Sequence, residues 1–526
     1  MAASVYIVFF LSGIGISVVL FRRTRERNPD ENIERWLIAL APFGVLLSIS
    51  GIVNRIVAAP YYHWNEPRLA PVFGLRCGYP LFPGPGGVMS GHCYGPVGAL
   101  IYFPATLSHS PTTAILLGAL IAAAISLVPV AWIIFRGSGC SGNRLAGVLL
   151  YCLFILFCFF NPALDYSVFN IHADAPALGL GALACCALLA AEQRQKHLYF
   201  SLSALLAALS VWSKQNQAPL FVALPLYVLF TQGWRATWVF AMHLFAIGSL
   251  VSGLMVLCFG PFENLFYNMF SLLAHHPWRI GSLQDVPSVV LAIWEQSRMP
   301  LTICLFFLLF EALSNDRQWR LREFISQNPA ALFLIVSLCN LPTTFIGVVK
   351  VGGDVNGYSF TVYYLSIAAA LALQSGMRSP KSAGFQSGVK IIVLIVSIDC
   401  CLFQSASSYM EFKNQRAIYD NPAQIAYDVA KTSPGTVYFP WNPLSGLLVE
   451  GKYYHFDYGV YDRSLSGKLL TEDEYRKGIP DRFVYVAFVP VAGLTYASLK
   501  YLPQYSIECR LVQLPDWRVF MREERK

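Results

Sequence analysis

The sequence predicts an α-helical polytopic membrane protein with about twelve transmembrane helices, followed by a small α/β domain. Of its 526 residues, 56% are hydrophobic and only 13% are charged, and the mean hydropathy is +0.51, which excludes an ordinary soluble protein. Apolar runs of roughly 15 to 22 residues recur as far as residue 405, and a helix of about 20 such residues crosses the hydrocarbon core. This spacing is typical of spanning helices and does not suit a β-barrel.

The apolar runs set the predicted spans. They are residues 2–21, 36–58, 112–135, 145–160, 175–191, 200–213, 217–231, 236–259, 299–313, 330–349, 358–374 and 389–405. The first run has no basic segment before it and is followed by Arg22, Arg23, Arg25 and Arg27. It is therefore predicted to remain as an anchor rather than to be cleaved as a signal peptide.

Lys and Arg are distributed unequally between alternate connections. One set is rich in them and includes Arg22, Arg136, Arg144 and Arg235, whereas the opposite set is longer but holds few. Because cytoplasmic loops carry the excess of Lys and Arg, the basic set is predicted to be cytoplasmic. The protein is thus predicted to lie in the inner (plasma) membrane, with its N-terminus and its C-terminal domain extracytoplasmic. The net charge of +8 needs no nucleic-acid partner, since anionic membrane lipids account for basic loops.

Composition divides the chain into two predicted domains. Residues 1–405 form the transmembrane domain, which includes a large Pro- and Gly-rich external loop, 59–111. Residues 406–526 are less apolar, with strand-like runs at 436–439, 483–489 and 510–514 and a helical run at 422–431. These alternating patterns predict the small α/β domain on the external face.

The cysteines and the absent motifs limit the chemistry. Cys77 and Cys93 both fall in the loop 59–111, in an oxidising compartment, so the sequence leaves open whether they are paired or free. The sequence has no nucleotide fingerprint, zinc-ligand spacing or nucleophile elbow, so no cofactor and no metal are predicted.

Polar residues collect at span ends that the topology places on one face. Such residues are costly in lipid and are functional candidates by default. The candidates are His63, Asn65, Glu66, His92, Tyr94, His172, Asp174, Lys214, Gln215, Lys350 and Asn356. A carboxylate such as Glu66 can act as a general base on an acceptor hydroxyl, and lysines at this surface suit a phosphate.

The order of these motifs resembles that of GT-C membrane glycosyltransferases, in the branch of protein mannosyltransferases and lipid A aminoarabinose transferases. The resemblance covers residues 35–375. The similar motifs are Asn65-Glu66, Tyr94-Gly95-Pro96, His172-Ala173-Asp174-Ala175-Pro176 before the run 178–189, Ser213-Lys214-Gln215, and the segment 350–356. Two positions depart from the family pattern: Glu66 stands where Asp is more usual, and His172 stands where Arg is common. Histidine at that position can titrate near neutrality.

The resemblance implies a reaction and roles for single residues. The donor is a sugar linked through phosphate to a polyprenyl lipid, the acceptor is a hydroxyl of a glycan, lipid or protein, and transfer inverts the anomeric carbon on the extracytoplasmic face. Glu66 is then the general base and Asp174 supports the site, while Lys214 and Lys350 contact the donor.

Two other classes of function remain open at this point. A polytopic transporter or flippase for a lipid or polar solute predicts repeated halves and a site near mid-membrane. An accessory membrane protein of envelope polysaccharide assembly predicts no need for the polar residues. An outward-opening cavity lined by Glu66, Asp174 and Lys350 is the arrangement that favours the enzyme.

Overall fold

The computed structural model describes residues 32–84, 86–136, 141–191, 196–313, 321–378, 389, 393, 421–467, 471–479, 482–490 and 495–523. The predicted span 2–21 and the basic residues that follow it lie outside the described residues. Of the predicted span 389–405, only Val389 and Val393 are described.

The first part of the chain forms long helices joined by shorter ones. They are α1 (Asn32–Ala58), α2 (Asn65–Arg76), α3 (Pro96–Leu100), α4 (Pro111–Arg136), α5 (Ser141–Phe160), α6 (Pro162–Phe169), α7 (Asp174–Ala191) and α8 (Lys196–Val211). Helix α6 turns away from α5 by 102°. The bend follows from Asn161-Pro162, because proline cannot continue α5 and the Asn161 side chain accepts the Leu164 N–H at 3.2 Å as a new helix cap.

The second part continues the helical bundle. Its helices are α9 (Leu220–Gln232), α10 (Trp234–Phe259), α11 (Phe262–Phe266), α12 (Leu272–Ala274), α13 (Val286–Leu313), α14 (Leu321–Gln327), α15 (Pro329–Val349) and α16 (Ser359–Arg378). Helix α13 begins thirteen residues before the predicted span 299–313, so the helix extends well beyond the apolar run that predicted it.

The prediction of about twelve spans is too high for the described residues. Among them, seven helices are long and apolar enough to cross a membrane, or up to eight if the bent pair of α5 and α6 counts as one span. Helices α8 and α9 coincide with predicted spans but contain only 16 and 13 residues. At a rise of about 1.5 Å per residue, each falls short of a hydrocarbon core about 30 Å thick.

Helix α7 is the centre of the bundle. Of its spanning window, 94% is buried inside the protein, against only 11% for α10. Small residues allow this burial, since an added Cβ at Gly179 would lie 2.1 Å from the backbone oxygen of Ile125 in α4. Helix α10 presents apolar side chains outward, as a lipid-facing helix does.

The connection between α1 and α4 is an ordered structure rather than an irregular loop. Helix α2 buries Leu69, Ala70 and Phe73, and the short helix α3 also lies within the predicted loop 59–111. Cys77 is exposed and Cys93 is buried, and both are free thiols, which excludes the disulfide that the sequence left open.

The C-terminal region contains helices and one mixed sheet. Its elements are α17 (Pro422–Thr432), β1 (Val437–Tyr438), α18 (Pro443–Glu450), α19 (Asp457–Leu465), α20 (Glu472–Lys477), β2 (Tyr485–Phe488), β3 (Ile507–Leu511) and β4 (Leu514–Met521). The strand order is β1-β2-β4-β3, with β1 and β2 parallel and the other pairs antiparallel. The predicted strand 510–514 is wrong, because these residues span the turn of the β3–β4 hairpin, and Val512 at its tip is 96% exposed.

The C-terminal region packs onto α2. Leu444 and Leu447 of α18 share an apolar cluster with Leu69 and Phe73 of α2. This shared cluster fixes α18 and α19 over the ends of the bundle helices where the polar candidates lie.

The close approach of α7 and α4 can be tested at Gly179. We expect Gly179→Ala to destabilise the protein by about 1–3 kcal/mol, because the methyl group meets a backbone oxygen that cannot move alone. Thermal unfolding in detergent measures the effect. The matched control is Gly253→Ala in α10, where an added Cβ meets nothing within 4 Å. Equal melting temperatures for the two variants would contradict this packing.

Candidate functional site

A cavity of about 500 Å³ lies where α7 begins and where α8 and α15 end. Its wall includes many of the predicted candidates: His92, Tyr94, His172, Lys214, Gln215, Lys350 and Asn356. These residues come from distant parts of the sequence, so the bundle does bring one group of polar span ends together. The predicted candidates His63, Asn65, Glu66 and Asp174 are not in the wall of this cavity.

Asp174 is the centre of the polar network behind the wall. Its Oδ1 accepts a hydrogen bond from Lys214 Nζ at 2.5 Å, and its Oδ2 accepts one from Asn356 Nδ2 at 2.8 Å. Oδ2 also lies 2.5 Å from His172 Nδ1. Since Asp174 has no exposed surface, its contacts are a fixed part of the structure. The carboxylate therefore orients three side chains that do line the cavity and compensates the charge of Lys214.

His172 is a neutral group in this network. Burial lowers its pKa to about 3, and the cations Arg68 and Lys214 oppose the effect of Asp174. The expectation of a titration near neutrality is therefore wrong for this environment. His172 Nε2 lies 3.0 Å from the hydroxyl of Tyr94, whose pKa burial raises well above its usual value. The phenol thus keeps its proton and is held in the cavity wall.

Glu66 belongs to the joint between α2 and the C-terminal region. Its Oε2 accepts from Asn442 Nδ2 at 2.5 Å, and its Oε1 accepts from the Leu444 N–H at 2.9 Å. The side chain thereby satisfies a free N–H at the start of α18. It is only 1% exposed, and burial raises its pKa to about 8. The geometry does not place the predicted base where a substrate in the cavity can reach it.

Asn65 and His63 flank this joint. Asn65 donates to Ala59 O at 2.9 Å and accepts from the Ile171 N–H at 2.9 Å, which ties α2 to the segment before α7. The His63 ring packs near Trp64 and Trp441, and burial lowers its pKa to about 4. Both residues support the wall from behind.

Two cations in the wall have no carboxylate partner within the described residues, Arg68 and Lys350. Arg68 donates to the hydroxyl of Tyr166 and, at 3.4 Å, to Ile171 O. Lys350 Nζ donates to the carbonyl oxygens of Leu273 and Ala274, both at 2.9 Å. Neutral partners leave the charges of these two side chains available to an anionic group of a ligand.

Arg68 was missed by the sequence analysis. In the sequence, Arg68 follows Glu66 by two residues. Once α2 is known to be a helix, this spacing places the two side chains on different faces of the helix. The wall also contains Asp354, His276 and Asp462, none of which was a predicted site residue, although Asp354 lies in the motif 350–356. Asp462 and His276 come from the C-terminal region and from the segment before α13, whose positions the sequence does not reveal.

Several polar atoms of the wall lack a hydrogen bond within the described chain. They are Nε2 of His92, Oε1 of Gln215 and Nε2 of His276, and all three are buried. Buried polar atoms nearly always have partners in folded proteins. These three wall residues therefore have unused hydrogen-bonding capacity that a polar ligand or water could satisfy.

An apolar cavity of about 480 Å³ adjoins the polar one. It lies between α8, α9 and α10, and its wall includes Trp212, Phe221 and Phe245. Three residues belong to both walls: Gln215, Met269 and Phe270. The polar cavity is therefore next to an apolar cavity beside helix α10. Within the described ranges, no cluster of three His, Cys, Asp or Glu residues could hold a metal ion.

The role of Asp174 predicts a specific pattern of stability. Asp174→Ala should destabilise the protein by about 3–5 kcal/mol, because Lys214 then remains buried without its counter-charge. In thermal unfolding, the double variant Asp174→Ala/Lys214→Met should recover part of this loss, with Lys214→Met as the matched single control. Additive losses in the double variant would argue against a coupled pair.

The raised pKa of Glu66 predicts a pH dependence. Between about 4.5 and about 8 the folded protein binds the proton that the unfolded chain releases, so this group's stabilisation decreases as pH rises. The slope is at most about 1.4 kcal/mol per pH unit.

Glu66→Gln should remove this contribution, and its new amide can donate to Asn442 Oδ1, which has no partner in the described chain. Unfolding measured at several pH values checks the difference between the two proteins, with Glu508→Gln on exposed β3 as the control. Parallel curves for the wild type and Glu66→Gln would refute the assignment.

Comparison with known proteins adds no relative to this picture. No protein-family model matches the chain, and no curated protein matches it. The function is therefore argued from the geometry of the two adjoining cavities and from the chemistry of the residues that line them.

Proposed function

We propose that this protein is a membrane glycosyltransferase that moves a sugar from a polyprenyl-phosphate donor to an acceptor hydroxyl on the extracytoplasmic face, with inversion at the anomeric carbon. The single observation that carries the proposal is the adjacency of the two cavities, whose walls share Gln215, Met269 and Phe270. A lipid-linked sugar phosphate has the same order of parts: a polar sugar, an anionic phosphate and an apolar chain.

Arg68 and Lys350 supply the phosphate site. Both line the polar cavity, and both have only neutral hydrogen-bond partners in the described chain. The guanidinium offers a planar fork of donors and the ammonium a compact charge, and both suit phosphate oxygens. Such cations stabilise the negative charge that grows on the phosphate as the bond to the anomeric carbon breaks.

The apolar cavity between α8, α9 and α10 accommodates part of the prenyl chain. Its wall is made of side chains such as Val211, Leu244 and Phe245. Burial of prenyl carbons there contributes about 0.8 kcal/mol per methylene equivalent. Gln215, Met269 and Phe270 lie at the junction, where the chain would meet the phosphate.

The unpartnered polar atoms give the sugar its place. His92 and Gln215 line the cavity, and Nε2 of His92 and Oε1 of Gln215 are buried. The same wall carries the aromatic rings of Tyr94 and Trp64. Sugar hydroxyls can both donate and accept, so they would satisfy these atoms. A fixed sugar and a fixed phosphate hold the anomeric carbon in place, and positioning of this kind contributes much of a rate enhancement.

The position of the cavity favours transfer over transport. Its polar residues follow the last turns of α8 and α15 and precede the first turn of α7, so they lie at helix ends, which the sequence predicts to be on the external face. A transporter site is expected near the midplane, between broken helices. The role of Glu66 as the general base stays a prediction. Because Glu66 does not line the cavity, the geometry does not support this role.

Donor turnover tests the proposal. We expect purified protein in lipid nanodiscs to consume a polyprenyl phosphosugar when an acceptor is supplied. Arg68→Ala and Lys350→Ala should each lower kcat/KM by about 10- to 100-fold, which corresponds to about 1.4–2.8 kcal/mol for a charged hydrogen bond. The control is Lys452→Ala, because Lys452 is exposed and outside the cavity wall. Failure to consume any polyprenyl phosphosugar, or full activity of both cavity variants, would overturn the proposal.

A further inference from the structure

The C-terminal region supplies a carboxylate to the polar cavity. Helix α19 packs over the bundle end and brings Asp462 into the cavity wall. Within the described residues, the only carboxylates in that wall are Asp354 and Asp462. Asp354 is exposed, and its Oδ1 accepts the Val355 N–H at 2.7 Å. Asp462 is 4% exposed and faces the space that a substrate would fill.

His276 accompanies Asp462 in the wall. Its Nε2 lies 3.3 Å from Oδ1 of Asp462, while its Nδ1 lies 3.1 Å from Val351 O. Since a carbonyl oxygen can only accept, Nδ1 carries the hydrogen of that contact. The 3.3 Å contact lacks the geometry of a hydrogen bond, so buried Nε2 remains without a partner in the described chain. A ligand hydroxyl in the cavity beside the two side chains would give both of them a hydrogen-bond partner.

We infer that Asp462, positioned by His276, accepts the proton of the acceptor hydroxyl in the proposed transfer reaction. This inference rests on the proposed function and replaces Glu66 in the role of base. It also gives the C-terminal region a part in the reaction, since neither the bundle nor the connection containing α2 supplies another buried carboxylate to the described wall.

The step balances as follows. The acceptor oxygen forms a bond to the anomeric carbon while the bond from that carbon to the phosphate oxygen breaks. The bond's electron pair leaves with the polyprenyl phosphate, whose charge Arg68 and Lys350 stabilise. The proton of the acceptor hydroxyl passes to the carboxylate of Asp462. No oxidant, reductant or further reactant is needed.

The surroundings of Asp462 suit a base that works near neutral pH. Burial raises the pKa of its carboxyl group, and the nearby imidazole of His276 opposes that rise. Three other titratable groups also interact with Asp462: Cys93, Tyr267 and Tyr458. Proton transfer is most efficient when the pKa of the base lies near the working pH.

Substitution of single carboxylates in the full-length protein tests the inference. Asp462→Asn keeps the size of the side chain and should lower kcat by about 10²- to 10⁴-fold, with donor affinity changed less than about threefold. Asp516→Asn is the matched control, because Asp516 is exposed on β4 and outside the cavity wall. Glu66→Gln should retain most of the turnover. Donor affinity measured by quenching of tryptophan fluorescence also reports whether each variant is folded.

The outcomes of these experiments distinguish a failure of the proposed function from a failure of the role inferred for Asp462. If the wild type consumes no donor, the proposed function fails. If the wild type is active and Asp462→Asn keeps its kcat, the inference alone fails. Should Asp462→Asn not fold, Asp462→Glu and His276→Asn decide the matter. Asp462→Glu should keep measurable turnover, and His276→Asn should move the acidic limb of the kcat profile to higher pH, because it removes the group that holds the pKa of Asp462 down. An unshifted acidic limb would overturn the inference.

Discussion

The rest of the site depends on the contacts that the buried carboxylate of Asp174 makes with its polar neighbours. It accepts hydrogen bonds from Lys214 and Asn356 and lies against His172, so it joins the start of α7 to the end of α8 and to the segment before α16. A charge without exposed surface is tolerated only with close, well-oriented partners. The same contacts that satisfy this requirement also fix three side chains in the cavity wall. Stability and site geometry are therefore coupled through one residue.

The second constraint is the joint between α2 and α18. The carboxyl group of Glu66 accepts hydrogen bonds from Asn442 and from the Leu444 N–H, and Leu444 packs into the apolar cluster that includes Phe73. The joint helps to hold α19 over the bundle, together with contacts such as the hydrogen bond from the Phe456 N–H to Met89 O at 2.8 Å. Glu66 thus influences the cavity at a distance, by holding the C-terminal region that brings Asp462 and Tyr458 to its wall.

The charge distribution around the cavity has a simple physical logic. Lys214 is neutralised by Asp174, whereas Arg68 and Lys350 contact only neutral groups of the described chain. The positive charge is therefore displaced toward the side of the cavity formed by α2 and by the segment after α15. An anionic group would be drawn there, next to the junction with the apolar cavity at Met269 and Phe270. This distribution of charge and hydrophobicity supports the amphipathic donor that we propose.

Much of the fold could be predicted because its signals are local. Apolar runs predicted α4, α7, α10 and α15 closely, since the hydrophobic effect acts on each segment alone. The same signal overcounted spans at α8 and α9. Their apolar composition correctly predicted helices, but these helices are too short to span the membrane. The sequence analysis missed helix α2, because its two prolines and its low hydropathy are typical of a loop rather than of a helix in the bundle. The strand predicted at 510–514 failed because apolar residues at a hairpin turn resemble a strand.

The sequence by itself determined that polar residues such as His172, Lys214 and Lys350 lie at span ends, because a charge inside lipid is costly and alternate span ends share a face. Only the tertiary structure decided which of them meet the cavity. Glu66 and Asp462 are far apart in the chain, and each could have faced the substrate. Packing of α18 against α2 turned Glu66 into a helix cap and brought Asp462 inward. Contacts of this kind depend on the docking of distant segments, for which the periodicity of a sequence carries no signal.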